Sequence, residues 1–292
     1  MVEKLNTLLE DDVDQAVQGN QQALTRIVNS VSQDVFQMAM RFLWHPQDAE
    51  DATQEILIKI ITNLSRFRGE SRFQTWVYRI ASNTLMTVKA KKAELQALSF
   101  DAFSEDLARD LSVSPEAIDP LPFDARLQDE VRIGCTLAML LCLDRKHRLA
   151  YILGEIMELE HEEASDVLSI SKVAYRKQLS RARSAIQNLM TSRCGLVEPR
   201  NPCRCNHRVS CAVERGHVDP ENLIFASAGE QTATFPEVLE TIRALDASRR
   251  AAALYQSHPD LFAGVNFSAW LRKLVSTTEQ MVAANNLRFD DV

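Results

Sequence analysis

The sequence predicts an all-α protein, and three observations carry that reading. Only 8 glycines occur in 292 residues, well below an average of about 7%. Only 9 residues are proline, so the chain is short of turn formers and suits long helices. Apolar residues recur at helical spacing in several segments. Sandwiches, propellers and Gly-loop nucleotide folds are disfavoured together. A hydrophobic content of 46% in 292 residues supplies real cores, in two or three domains of about 100–200 residues each.

The first residues, MVEKLNTLLEDDVDQ, are acidic and lead into no long apolar stretch, so they do not read as a signal peptide. The longest apolar run, Leu137–Leu143, falls far short of the ~18 residues of a membrane span. The chain is expected in the cytoplasm, away from membranes. Its 6 cysteines are then thiols or metal ligands rather than disulfides.

Val35, Phe36, Ala39, Met40 and Leu43 form the stripe of one helix, and Ile56, Leu57, Ile60, Ile61 and Leu64 that of the next. HPQD between them supplies a turn and a helix start, with Asp48 in the first turn. Asp48, Asp51 and Glu55 lie opposite the second stripe. They form either a solvated face or a dock for a basic partner helix. Carboxylate catalysis is the weakest option, because no His or Lys clusters nearby to split their pKa values.

Residues 66–83, RFRGESRFQTWVYRIASN, interleave Phe67, Phe73, Trp76 and Tyr78 with Arg66, Arg68, Arg72 and Arg79. Rings beside guanidinium groups suit single-stranded nucleic acid, although Trp76 and Ile80 share a face at i, i+4 and serve a core equally well. Lys89, Lys91 and Lys92 extend the basic run.

The formal net charge of −7 argues against nucleic acid if taken whole. Divided by segment it does not. Residues 1–92 carry 11 basic and 11 acidic groups, 93–127 carry 2 and 8, 128–190 carry 9 and 9, and 191–292 carry 11 and 12. The excess acid thus sits in 93–127, which holds Pro115, Pro120 and Pro122 and shows no sustained apolar period. It reads as a linker. Beyond it, His161–Leu168 is a short helix and Ser171–Met190 a longer one with Ser171 as N-cap. Tyr175, Leu179, Ala182, Ile186 and Leu189 line one side of the longer helix. Lys172, Arg176, Lys177, Arg181 and Arg183 line the other, with no acid between Lys172 and Leu189. A short helix, a tight turn and a basic second helix suit the DNA major groove.

Taken in order, DAEDATQEILIKI, FRGESRFQTWVYRIASN and EEASDVLSIS…RKQLSRARSAI resemble an RNA polymerase sigma factor of the extracytoplasmic-function type, over residues 12–190. The resemblance implies a non-enzymatic initiation factor whose partners are core RNA polymerase and promoter DNA. Residues 1–92 would be its region 2 domain, 93–127 an acidic linker mimicking a polyanion, and 128–190 its region 4 helix-turn-helix domain. Asp48, Asp51, Gln54 and Glu55 would bind the core polymerase. Arg68, Gly69, Glu70, Ser71, Arg72, Phe73, Trp76, Tyr78, Arg79 and Asn83 would recognise and open the minus-ten element. Ser171, Lys172, Arg176, Lys177, Arg181 and Arg183 would contact the minus-thirty-five duplex. The chain departs from the family at Ser169, where a Gly is usual, at Ser165 for Ala, at Thr87 for Asp and at Asp144 for Pro. The alternatives are a stand-alone helix-turn-helix regulator and a thiol- or metal-responsive sensor.

Residues 191–292 form an extension beyond the resemblance. Cys194, Cys203, Cys205 and Cys211 are spaced C-x8-C-x-C-x5-C, and His207 and His217 are near. They either bind zinc, sense redox state or hold a loop as plain thiols. Arg193, Arg200, Arg204 and Arg208 are expected to lower the thiol pKa values. The CGLVEPRNPCRC stretch resembles the extension of cysteine-bearing sigma subgroups, which implies regulation by the extension itself or by an anti-sigma factor. No cofactor beyond the zinc option is implied. Residues 235–285 read as two or three helices.

Overall fold

The computed structural model describes residues 11–90, 94, 99–109, 125–226 and 235–286, with backbone alone at 109, 236 and 278–286. Regular structure among the described residues is helical, with one isolated bridge between Cys194 and Cys203. The predicted all-α class holds.

Helix α1 (Gln21–Leu43) begins where Asn20 Oδ1 accepts the N–H groups of Gln22 and Ala23 at 3.0 and 3.1 Å. These are donors that the first turn leaves without partners. It buries Ile27, Val31, Val35, Phe36, Met40 and Leu43. Helix α2 (Pro46–Asn63) starts on Pro46, whose fixed φ suits a first turn. It buries Ile56, Leu57 and Ile60 against α1. A 3-10 turn (Leu64–Arg66) leads through a loop to α3 (Phe73–Thr87), which packs on both.

Helix α4 (Phe100–Arg109) lies in the segment that reads as a linker without apolar period. Phe100 and Phe103 are half-buried and Leu107 is buried, a one-sided i, i+3, i+7 row. The row lies on a helix packed against the later helix Lys172–Arg193. The proline-bearing residues 110–124 lie outside the described residues.

Helix α5 (Ala125–Leu141) precedes α6 (Arg145–Tyr151), which continues through one π turn (Ile152–Ile156). Asp144 caps α6 by accepting His147 N–H at 3.0 Å, which accounts for an acid where the family has Pro. Helices α7 (His161–Val167) and α8 (Lys172–Arg193) follow, then α9 (Cys205–Glu214), α10 (Phe235–Ala244), α11 (Ala247–Gln256) and α12 (Phe267–Asn286).

One buried cluster runs from α1–α3 through α5–α8 into the extension. The fully buried Arg148 stands at its centre. Its guanidinium donates to the carbonyls of Phe42, Leu140, Leu141 and Leu143 at 2.8–3.3 Å and pairs with Glu94 at 3.2 Å. Arg145 donates to the carbonyls of Met86 and Val88 at 3.0 and 2.6 Å, closing the C-terminus of α3.

The extension folds back on the rest. Glu130, buried in α5, accepts the backbone N–H groups of Ile224, Phe225 and Ala226 at 2.7–2.8 Å. Tyr255 Oη donates to Thr136 O at 2.8 Å. Gln33 and Gln37 donate to Leu261 O at 3.0 and 2.9 Å, and Phe267 meets Phe36 with ring centroids 6.4 Å apart.

Candidate polymerase and nucleic-acid interfaces

Helix α2 turns its apolar stripe inward and leaves its acidic row outside. Asp51 and Glu55 are exposed, while Asp48 and Gln54 are half-buried. Glu55 pairs with Lys59 one turn on, at 2.7 Å, an exposed pair worth only about 0.3–0.5 kcal/mol. Glu50 belongs to the same surface, although the sequence reading passes over it. Its Oε1 accepts Gly264 N–H at 2.6 Å, so the extension reaches the edge of the acidic row.

The loop before α3 exposes Arg68, Gly69 and Glu70. Gly69 has φ +70°, and a Cβ there would meet no heavy atom within 4 Å. The left-handed backbone, not crowding, is what favours glycine at this position. Ser71 is half-buried and Arg72 exposed.

Helix α3 divides the aromatic residues between two tasks. Phe67, Phe73 and Trp76 form a triangle with ring centroids 5.2–5.7 Å apart. Phe73 is buried, as is Tyr78, and Trp76 stays half-buried. Tyr78 Oη donates to Asp34 at 3.1 Å and accepts from Gln74 at 2.7 Å. Burial, reinforced by Asp34, pushes its hydroxyl well above the usual range. Asn83 is exposed on the same helix. Lys91 and Lys92 lie outside the described residues.

Helix α3 also touches the first helix of the helix-turn-helix. Glu163 of α7 accepts Thr75 Oγ1 at 2.7 Å and forms an ion pair with Arg72. Arg79 Nε donates to Asp166 O at 3.2 Å. Three residues of the basic aromatic segment are thus held by α7.

Ser171 caps α8 by accepting Ala174 N–H at 3.2 Å, and Tyr175, Leu179, Ala182, Ile186 and Leu189 are buried, as their spacing predicts. The turn before it passes through Ser169 at φ +54°, the position where the family carries Gly. Lys172 pairs with Glu162 at 3.2 Å and Arg183 with Glu155. Arg176, Lys177 and Arg181 are exposed and have no partner among the described residues. With Val173 and Ser180 they line a shallow open depression. The face is cationic and open to solvent.

The cysteines divide differently from the sequence grouping. Cys194, Cys203 and Cys205 line a cavity of about 20 Å³ together with Cys135 of α5, whereas Cys211 is not among its lining residues. All six cysteines are thiols. Nearby arginines were expected to lower the thiol pKa values. Burial outweighs them: Cys135 and Cys194 lie above the usual thiol range, and Cys205 is pushed up to about 12. Among the described residues no group of three His, Cys, Asp or Glu is already set to hold an ion.

Residues 27–94 match the family model for sigma-70 region 2. This span takes in α1 from Ile27, all of α2 and α3, and the start of the next segment. This match and the relatives below support an RNA polymerase sigma factor of the extracytoplasmic-function type. It is similar to the sigma factor SigW of Bacillus subtilis strain 168, with 27% identity over 184 residues, 63% of this chain and 97% of that protein. It is also similar to the sigma-E factor of Escherichia coli K12, with 28% identity over 182 residues, 60% of this chain and 91% of that protein. Among solved structures it is similar to CnrH in complex with the cytosolic domain of CnrY, with 22% identity, 64% of this chain, 97% of that chain and a TM-score of 0.43. Sigma factors are initiation factors rather than enzymes. No described helix of this sigma factor is long and apolar enough to cross a membrane.

Proposed function

We propose that this sigma factor docks on core RNA polymerase through α2 and reads promoter DNA through α3 and α8. Asp48, Asp51, Gln54 and Glu55 face a basic partner surface on the polymerase. The loop Arg68–Arg72 and α3 out to Asn83 take the minus-ten element, with Trp76 the accessible ring; Phe73 and Tyr78 support it from inside. Ser171 and Lys172 start the minus-thirty-five helix, and Arg176, Lys177, Arg181 and Arg183 meet its phosphates and base edges. The unpartnered cations Arg176, Lys177 and Arg181 on one face of α8 carry this reading. The exposed acidic row of α2 supplies a second, oppositely charged surface. Residues 1–92, 93–127, 128–190 and 191–292 act as melting domain, linker, helix-turn-helix domain and regulatory extension. The protein works in the cytoplasm beside its polymerase.

Regulation falls to the extension or to an anti-sigma factor bound where the extension leaves room. Self-inhibition is supported by Gly264 on Glu50 and by Leu261 on Gln33 and Gln37. The sigma role needs no cofactor. A zinc ion held by thiols of the extension is a second reading, supported by Cys194, Cys203 and Cys205 meeting at one cavity.

Run-off transcription with purified core polymerase and a selected promoter tests the proposal. Arg181→Ala should weaken binding to duplex minus-thirty-five DNA and reduce its salt slope by about one. Asp51→Arg should abolish core binding while leaving duplex binding intact. A chain that neither binds core nor starts transcripts overturns the reading.

A further inference from the structure

We propose that Cys135, Cys194, Cys203 and Cys205 form a tetrathiolate site for a divalent cation of the zinc class, with Arg132 and Arg208 beside it. This rests on the zinc reading above and replaces Cys211 by Cys135, a residue about 60 positions away from the other thiols in sequence.

Four observations support it. First, the four thiols come from α5, the end of α8, the following loop and the start of α9, and line one cavity of about 20 Å³. That is room for about one small sphere of water size. Second, Cys194 and Cys203 are joined by a backbone bridge, with Gly195 N–H donating to Cys203 O at 3.1 Å. A Cβ on Gly195 would collide with that same carbonyl, so glycine lets the two cysteine-bearing segments approach closely. Third, Cys194 Sγ accepts the backbone N–H groups of Leu196 and Val197. Donors aimed at a sulfur favour its thiolate and fix its direction, as the outer shell of a metal site does.

Fourth, a buried cationic donor beside the cavity lacks an acceptor. Arg132 is 4% exposed, its Nε and Nη2 reach Asp129, and its buried Nη1 has no partner. It lines the cavity, as does Arg208, which donates to Leu107 O at 3.2 Å. A buried donor without an acceptor costs about 1–3 kcal/mol. A divalent ion with four thiolates carries two negative charges, which the two guanidinium groups beside the cavity offset in part, Asp129 already sharing Arg132. Binding releases the four thiol protons to solvent and changes no oxidation state. Ligation requires the sulfurs to turn inward about χ1, a rotamer change.

The full chain, purified with a reductant and loaded with zinc, is assayed for bound metal, and cobalt is then substituted as a spectroscopic probe. One equivalent of zinc and a tetrahedral cobalt spectrum with sulfur charge-transfer bands are expected. Cys211→Ser should retain both. Cys135→Ser should lose at least about tenfold in affinity, and Arg132→Met about as much, the scale of an outer-shell defect. If wild type binds no equimolar metal, the zinc reading and the proposal fail together. If Cys211→Ser loses the metal and Cys135→Ser keeps it, only the Cys135 assignment is overturned. Maleimide labelling of the wild-type chain, read by peptide mass spectrometry, serves where Cys135→Ser does not fold. Zinc should slow labelling of Cys135 and leave Cys211 unchanged; the reverse pattern overturns the assignment.

Discussion

Ser169 bears a conformation that its side chain resists. At φ +54° it sits in the left-handed region, which costs a non-glycine residue about 1–2 kcal/mol. Ser169→Gly should therefore stabilise the protein by up to about 1 kcal/mol, less the extra chain entropy that glycine loses on folding. A rise in the urea midpoint at constant m-value would show it; a fall would mean that the serine side chain contributes more than the backbone loses. Glu163 is the second residue to test. Glu163→Ala frees Arg72 and Thr75, and the free sigma factor should bind single-stranded minus-ten DNA more tightly. The stability loss should be small, under about 1 kcal/mol, because Arg72 is half exposed. Unchanged affinity for the single strand would argue that Arg72 does not meet DNA. Ser169 was visible from sequence as a departure from a family pattern. The partners of Arg72 and Cys135 were not, because contacts between distant segments leave no local period to read.

At the scale of elements, the helices most legible in sequence are those with a cap and a long stripe. Ser171 and the Tyr175–Leu189 stripe mark α8, and Ile56, Leu57 and Ile60 mark α2. Ser171→Ala should cost about 1 kcal/mol by removing the acceptor for Ala174 N–H. Duplex binding should weaken only as far as the first turn of α8 frays, which circular dichroism and DNA titration together can follow. Helix α4 was missed because its apolar row is three residues long and its surroundings are acidic and proline-bearing. The aromatic segment was half legible. Its composition pointed to nucleic acid, yet Phe73 and Tyr78 are buried, and only Phe67 and Trp76 of its four rings remain partly accessible. Arg148 ties elements rather than capping one. Arg148→Met should cost about 3 kcal/mol or more, since it strips a buried cation from Glu94 and leaves four carbonyls short of a donor. The same cluster predicts acid sensitivity. Burial alone would raise the Glu94 carboxyl, but Arg145 and Arg148 outweigh it and hold it below its usual value. Its contribution is present above the unfolded pKa of about 4.3 and is lost as pH falls through the lower folded value. Denaturant melts from pH 6 downward, on a Glu94→Gln comparison, would show a loss of the difference at acid pH.

Among its described residues the whole molecule has one large apolar cluster, with a small second one at Leu127, Val131, Val209 and Val218, where the sequence suggests separate domains. It should unfold in a single calorimetric transition. Two resolved transitions would mean that the contacts around Arg148 and Tyr255 do not couple the parts. The extension was expected to be regulatory, but its docking on Glu50, Gln33 and Gln37 could not be read from composition, since those contacts use glutamines and a backbone carbonyl.

The grip of Glu163 on Arg72 and Thr75 can also be measured as a length. Promoter elements named for positions ten and thirty-five lie about 25 base pairs apart, roughly 85 Å along the duplex at 3.4 Å per pair. Helices α3 and α7 touch, so if α3 and α8 read the two elements as proposed, one sigma factor cannot hold both in this shape. The 35 residues of 93–127 would reach about 115 Å if drawn out fully at about 3.3 Å each, enough to bridge the gap even with part of their length still coiled. The closed chain is then a ruler folded shut. Its apparent promoter affinity is the open-state affinity scaled by the fraction that is open, and by linkage whatever opens it on the polymerase is itself bound more tightly once DNA is in place.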